Sequence, residues 1–246
     1  CDFASPLYES IVRLRHTVPV EQNVTFDAIV IGAGVIGSSV ALELTRRGMK
    51  TLSVDKLSAP GLGSTSSSSS VIRFNYSTAA GVAMAWESLH YWRDWAGHLG
   101  QGSDPLAKYM EVGLFLLKSE GTNEAAFLPL YERFGVEHQY LSAEQAQARF
   151  PWLDMGRYGP PRRQSDPAFF NDATGTLEGG FFTPTAGYVN DPMLAAQNIA
   201  EAAVREGAQF AVLRRGRTEG PRAKVAGQRD DGIGVGQVRG RGTGAD

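Results

Sequence analysis

Between Phe26 and Lys56 the apolar positions change their period three times. Asp27-Ala28-Ile29-Val30-Ile31 is a short, nearly continuous apolar run of the kind that fills a buried strand. A glycine-rich break, Gly32-Ala33-Gly34-Val35-Ile36-Gly37, follows it. The next run places Ala41 and Leu44 on the inner side of a helix, with Gly48 as its C-terminal stop. Thr51-Leu52-Ser53-Val54 returns to strand, closed by Asp55. The pattern therefore predicts strand, glycine turn, helix and strand, in that order.

Further along, Val82, Trp86, Leu89, Trp92 and Ala96 recur at helical spacing and predict one long helix over 78–99, its tryptophans serving as packing. Residues 111–118 read as a strand. Residues 122–134 read as a helix with Phe127, Leu130, Tyr131 and Phe134 on one face. Ser142 and Gln145 have capping-box spacing, and Pro151 stops the helix they open. Residues 154–172, rich in Gly, Pro and Arg, read as a loop. Asp191 as N-cap and Pro192 at the first helical position open a helix running to about Glu206. From Ala211 onward Gly, Arg and Asp dominate, leaving too few apolar residues for a buried strand, and only the piece around Val225 keeps a strand-turn-strand look. The tail is expected to be poorly ordered. At the other end, Ser5-Pro6 starts a short helix with Leu7, Ile11, Val12 and Leu14 as a partial apolar face, read as a docking helix rather than a membrane anchor.

Composition narrows the class. A chain of 246 residues is long enough to bury a substantial core. The net charge of −2 gives no electrostatic reason to expect nucleic acid or an anionic membrane. The only cysteine is Cys1, so neither a disulfide framework nor a cysteine metal site is predicted, and a reduced, cytoplasmic setting is the default expectation. No apolar run approaches the ~20 residues of a membrane span. His16, His90, His98 and His138 lack metal-ligand spacing and read as structural.

The glycine break carries the chemistry. Gly32, Gly34 and Gly37 have GxGxxG spacing: the first for a tight turn, the second for close approach of a pyrophosphate, the third for helix–strand packing. The helix N-terminus beyond them, starting with Val35 and Ile36, turns free N–H groups and a positive dipole end toward phosphates. Asp55 stands where a carboxylate accepts hydrogen bonds from a ribose, with Lys56 beside it. The hydroxyl-rich loop through Ser64, Thr65 and Ser66 suits a phosphate or a ring system better than a plain linker. Arg73 is suited to two parallel hydrogen bonds to a carboxylate, and its neighbours Val71, Ile72, Phe74 and Tyr76 are expected to shield it from free solvation. A nicotinamide-dependent dehydrogenase built on the same glycine turn is a competing reading; the loop from Pro60 to Ser70 argues against it, since such enzymes follow the second strand directly with another βα unit.

The succession GAGVIG, VDK and GSTSSSSSVIRFNY resembles the N-terminal part of the D-amino-acid oxidase superfamily of FAD-dependent oxidoreductases, and in particular its sarcosine oxidase and dimethylglycine dehydrogenase branch. Gly63, Ser64, Val71, Ile72, Arg73 and Tyr76 match that branch without a gap, and YLSAEQAQARFPWLD and the Gly187-Tyr188-Val189-Asn190-Asp191-Pro192 stretch are similar to further superfamily segments. The resemblance covers roughly residues 26–210. It implies an α/β chain: a Rossmann-like FAD-binding domain interleaved with a mixed or antiparallel-sheet substrate domain, here incomplete. The implied division is an N-terminal extension (1–25), an FAD-binding βαβ with flavin loop and helix (26–100), a partial substrate domain (101–190), a helix returning to the FAD domain (191–210) and an irregular tail (211–246).

The same resemblance implies non-covalent FAD held by Gly32, Gly34, Val35, Ile36 and Gly37 at the pyrophosphate and by Asp55 and Lys56 at the adenosine ribose. Ser64, Thr65 and Ser66 would lie beside the flavin, and Arg73 would bind the carboxylate of an amino acid or of a secondary or tertiary amine. Ser66 and Ser70 stand where relatives often carry histidine or arginine. Residues that relatives place in their C-terminal half have no match here, so the resemblance also implies a chain that is a truncated copy, or one completed by a partner chain supplying the missing half. A non-catalytic dinucleotide-binding fragment is the remaining alternative.

Overall fold

The computed structural model describes residues 24–100, 105–212 and 224–225. The expected N-terminal helix, Cys1 and most of the tail beyond Val212 lie outside the described residues. In chain order, β1 (Thr25–Phe26) and β2 (Ala28–Ile31) lead through the glycine turn into α1 (Val35–Arg46) and β3 (Thr51–Asp55). β4 (Val71–Ile72), α2 (Ala79–Arg93) and α3 (Trp95–Leu99) follow. Next come β5 (Tyr109–Met110), β6 (Leu114–Leu117), α4 (Glu124–Phe134), β7 (Gln139–Ser142) and α5 (Ala143–Arg149). A 3-10 turn at Pro167–Phe170 precedes β8 (Gly179–Thr183), β9 (Gly187–Val189), α6 (Pro192–Arg205), β10 (Gln209–Val212) and β11 (Lys224–Val225).

Parallel and antiparallel pairing are segregated. β2 pairs with β3 in parallel, Ala28 opposite Thr51 through Ile31 opposite Val54, with α1 as the crossover that parallel neighbours require. β10 lies parallel on the other side of β3, giving the order β10-β3-β2, and β1 pairs with β11. The two three-stranded antiparallel sheets are β4-β9-β5 and β6-β8-β7. The glycine turn thus opens at the C-terminal ends of the parallel strands, and β4 carries the chain from there into antiparallel structure.

Burial follows the sequence pattern. α6 packs along α1 because its buried face is mostly alanine: Ala195, Ala196, Ala200, Ala202 and Ala203 let the two backbones approach, with Ile199 reaching Leu42, Trp95 and Leu99. Buried Asn198 accepts the Ala107 N–H at 2.9 Å and donates to the Pro105 carbonyl at 3.2 Å, tying the approach to β5 onto that helix. A second core joins Phe74, Val82 and Leu89 to Phe127, Tyr131 and Phe181, and Phe74 meets Trp86 edge-on at 5.1 Å.

Local signals hold where the chemistry is local. The Ser142–Gln145 capping box is formed, Asp191 caps α6 with Pro192 in its first turn, and Gly48 takes φ +79° just past the end of α1. Three expectations change. The helix over 78–99 is two helices, because Asp94 leaves helical geometry (φ −115°, ψ 56°) and its carboxylate caps α3 at the Gly97 N–H, 3.1 Å away. The segment following α6 is strand: the helix ends at Arg205, and Gln209–Val212 is drawn into the parallel sheet by its pairing with β3. The segment from Ala211, read as too poor in apolar residues for a buried strand, completes β10 with Ala211–Val212, while Lys224–Val225 pairs with β1 where the sequence kept a strand-turn-strand look.

Candidate functional site

Backbone amides of the glycine turn are claimed one after another. Gly32, at φ +107°, donates its N–H to the Val54 carbonyl at 2.7 Å, holding the turn against the end of β3. The Ala33 N–H goes to Asp55 Oδ2 at 2.6 Å, and the Val35 N–H to Thr65 Oγ1 at 3.1 Å. Gly34 is the N-cap of α1 and brings no side chain to it. The first intrahelical bond is made by the Ser38 N–H to the Gly34 carbonyl at 2.9 Å, so the amides of Ile36 and Gly37 precede the helical ladder and point outward with the positive end of the dipole. A Cβ on Gly37 would stand 1.9 Å from the Gly32 carbonyl oxygen, and one on Gly34 would stand 2.9 Å from Thr65 Oγ1. A side chain at Gly37 would force the helix off the turn, and one at Gly34 would displace the Thr65 hydroxyl. These features fit a pyrophosphate of a dinucleotide, and among the described residues no cluster of His, Cys, Asp or Glu is arranged to hold a metal.

The hydroxyl loop is anchored to this turn. The Gly61 N–H donates to the Ala33 carbonyl at 2.9 Å, while Gly61, at φ +81°, packs on α6 so closely that a Cβ would meet the Met193 carbonyl oxygen at 3.0 Å. Thr65 is buried against the turn. Ser64 and Ser66 are exposed, and the Ser66 hydroxyl is spent on the Gly63 carbonyl at 2.9 Å. Lys56 is exposed too. At its far end the loop is fastened to β9: Ser70, at φ +49°, donates its hydroxyl to the Val189 carbonyl at 2.6 Å and accepts the Val189 N–H at 3.0 Å. Fixed at both ends, the serine run is part of the site scaffold and not a free linker.

Arg73 follows β4 on the antiparallel side. Its Nη1 donates to the carbonyl oxygen of Asn75 at 3.1 Å and to Asn75 Oδ1 at 3.0 Å, and its guanidinium carbon lies 4.7 Å from the centre of the Tyr76 ring. Of the neighbours expected to shield it, Tyr76 lies against the guanidinium, yet Arg73 stays exposed. Ile72 and Phe74 face the core by strand alternation, and the same alternation turns Arg73 outward and leaves it exposed. Two phenols belong to the core that Phe74 enters. Burial pushes Tyr131 up to about 12, with a hydrogen bond to Thr183 and the charge of Arg73 pulling the other way. Burial likewise pushes Tyr109 up to about 12, and its hydroxyl donates to the Thr185 carbonyl. Both are neutral at physiological pH.

The structure therefore brings Gly32, Gly34, Val35, Gly37, Asp55 and Thr65 into one cradle. Ile36, Lys56, Ser64 and Ser66 stand around it, and Arg73 lies one strand away. Sequence reasoning missed the double use of Asp55, whose Oδ1 also accepts the Leu57 N–H at 2.8 Å. It also missed the outward positions of Met110 and Tyr188 beside Val71. Only the register of β9 between β4 and β5 exposes that relation.

Similarity to known proteins agrees with this geometry. Human peroxisomal sarcosine oxidase is 30% identical over 134 residues, which are 54% of this chain and 33% of that protein. A Drosophila melanogaster homolog of FAD-dependent oxidoreductase domain-containing protein 1 is 27% identical over 143 residues, 56% of this chain and 27% of its own length. Among solved structures, L-proline dehydrogenase from P. horikoshii superposes with a TM-score of 0.59 at 22% identity, covering 76% of this chain and 44% of that one. Glycine oxidase from Geobacillus kaustophilus gives 0.57 at 23%, covering 77% and 47%. The chain spans about a third of the length of these curated relatives and under half of these structures. The family described as FAD dependent oxidoreductase matches residues 27–236, further than the 26–210 of the sequence resemblance and across β10 and β11. A match over that span, on a chain whose glycine turn is built as a phosphate cradle, places this protein in the FAD-dependent oxidoreductase family.

Proposed function

We propose that this chain supplies the FAD-binding and carboxylate-binding part of an oxidoreductase that oxidises an amino acid or an N-methyl amine of the sarcosine type. The observation that carries the reading is the continuous path from the cradle to Arg73. One loop, anchored to the glycine turn at Gly61 and Thr65 and to β9 at Ser70, runs straight into β4 and the exposed guanidinium of Arg73. Human peroxisomal sarcosine oxidase and the glycine oxidase fold, named for amino-acid substrates, support the substrate class.

Ile36, Gly37 and the α1 dipole would bind the pyrophosphate. Asp55 would accept from the ribose with the lone pairs left after its two backbone bonds. Arg73 would hold the substrate carboxylate and so fix which carbon faces the cofactor. Bound FAD supplies the two-electron acceptor for oxidation of the substrate C–N bond, and the resulting imine is hydrolysed by water.

Titrating the purified chain with FAD and following flavin fluorescence tests the nucleotide reading, with saturable quenching expected. Adding N-methylglycine anaerobically is expected to bleach the flavin bands, and Arg73→Met to abolish bleaching without changing FAD affinity. Failure to bind FAD overturns the proposal.

A second reading, that the site is completed by further polypeptide, is favoured by β2. It is an edge strand of the described sheet, and Ile31 and Ile36 beside the glycine turn are 87% and 78% exposed. FAD binding without turnover, with turnover restored by a complementary chain, is its expected signature.

A further inference from the structure

One face of the β4-β9-β5 sheet is packed: Ile72, Tyr109 and Val189 turn toward the cores. The other face carries no partner among the described residues, and such a face is ordinarily polar. Here it is apolar. Val71 pairs with Tyr188, and Tyr188 with Met110, so the three side chains form one row straight across the sheet. All three are exposed, at 45%, 39% and 37%, and Val112, two residues beyond Met110, is 60% exposed. Alternation sets two charges on this side: Arg73, two residues beyond Val71, and exposed Lys108, two residues before Met110, whose carbonyl accepts the Asn190 N–H at 3.0 Å. Arg73 stands one residue past the last pair of β4, Ile72 with Gly187, which puts it on the Tyr188 side of Val71, roughly 7–8 Å from Tyr188 at ladder spacing.

We infer that the Val71–Tyr188–Met110 row is the specificity wall of the site headed by Arg73. It takes the apolar side chain or N-alkyl group of a substrate whose carboxylate Arg73 holds. The inference rests on the carboxylate role proposed above. A carboxylate on Arg73 leaves the rest of a small amino acid, or of an N-alkyl amine acid, over Tyr188 and Met110. Those two side chains are well suited to this: the tyrosine offers a broad rigid surface, and the thioether adapts to substituents of different shape. Polar or charged side chains gain nothing from the row and lose hydration against it. The selected class is therefore apolar or N-alkylated amino acids, and basic amino acids, repelled by Arg73 and Lys108 at the two ends of the row, are disfavoured.

The test is calorimetric binding of three carboxylate probes, acetate, butyrate and hexanoate, to the FAD-loaded protein, and needs no turnover. In the wild type each added methylene laid on the row is expected to strengthen binding by about threefold. Hexanoate then binds tens of times more tightly than acetate. In Tyr188→Thr, which keeps a strand-forming residue, and in Met110→Thr, made separately, the hexanoate-to-acetate ratio is expected to fall by about fivefold or more, while acetate binding and FAD affinity stay unchanged. Arg73→Met is expected to abolish binding of all three. If Arg73→Met abolishes binding but neither threonine variant changes the ratio, the wall is overturned and the carboxylate role stands. If Arg73→Met leaves acetate binding intact, or no probe binds the wild type, both fall. A threonine variant that keeps the ratio but changes the sedimentation of the protein shows that the row packs against polypeptide, and likewise overturns the inference.

Discussion

The Asp55 carboxylate accepts the Ala33 amide at 2.6 Å, straight across the mouth of the glycine turn. An acid at the end of β3 is thereby a structural part of the turn it was expected to complement from outside. Its other oxygen accepts the Leu57 N–H at 2.8 Å, so the same side chain also sets the direction in which the hydroxyl loop departs. Each oxygen keeps a further lone pair. One residue can shape the cradle and still meet a ribose.

Asp55→Ala removes both acceptors and leaves the Ala33 and Leu57 amides unsatisfied, at a cost of about 1–3 kcal/mol each when buried. FAD affinity is expected to fall at least tenfold, with a measurable drop in melting temperature. Asp55→Asn keeps one acceptor oxygen and is expected to fall between that variant and the wild type. Fluorescence titration together with thermal unfolding separates the effects. If Asp55→Ala weakens FAD but melts like the wild type, the carboxylate serves the ribose alone.

Gly37 and Gly48 offer a contrast between lack of space and lack of conformational freedom. The Gly37→Ala methyl would be placed 1.9 Å from the Gly32 carbonyl oxygen, a backbone atom that cannot move without opening the turn. A Cβ at Gly48 meets nothing within 4 Å, and only its φ of +79° resists substitution, at about 1 kcal/mol. Gly37→Ala is therefore expected to lose FAD binding by more than tenfold, and Gly48→Ala to keep it while melting a few degrees lower. Equal FAD affinity in the two variants would contradict the cradle geometry.

Much of this site is legible in the sequence because its determinants are local. The GxGxxG spacing, the capping box at Ser142 and the Asp191-Pro192 helix start each depend on a few consecutive residues, and all appear as read. What stayed hidden depends on distant pairing. Gln209–Val212 becomes a strand only because Leu52–Asp55 offers it a ladder. The exposure of Arg73 follows from which face of β4 meets the core, and β9 decides that from more than a hundred residues downstream. The break at Asp94 had a local signal, an aspartate three residues before a glycine, but the regular apolar spacing on both sides masked it.

Phe74 links the buried face of β4 to the helices behind Arg73. It is fully buried, edge-on to Trp86, and shares a core with Tyr131 and Phe181. Phe74→Ala is expected to cost about 3–5 kcal/mol, read as a lower midpoint of urea unfolding at unchanged slope. Phe74→Leu, which preserves most of the volume, is expected to cost about half as much. A loss under 1 kcal/mol in the alanine variant would mean that this core is not packed as described.

His98 gives the fold a pH dependence whose sign can be worked out. Its ring lies against Tyr91 at 4.7 Å and Trp95 at 5.6 Å, at the end of α3, and its carbonyl accepts Arg46 Nη2 at 2.6 Å. Burial lowers its affinity for a proton and the charge of Arg46 lowers it further, while Glu43 and Asp94 act the other way without reversing the direction. The folded protein therefore holds a neutral imidazole at pH values where the unfolded chain already takes up a proton. Below the ordinary histidine value of about 6.5 the unfolded state binds more protons, and stability is lost as pH falls through that window. The melting temperature is expected to drop between pH 7.5 and 5.5, and His98→Gln, which cannot titrate, is expected to flatten that part of the profile. The carboxylates titrate lower and leave their own acid limb in both proteins, so the comparison isolates the imidazole. Parallel profiles for the two proteins would show that His98 gains its proton as readily folded as unfolded.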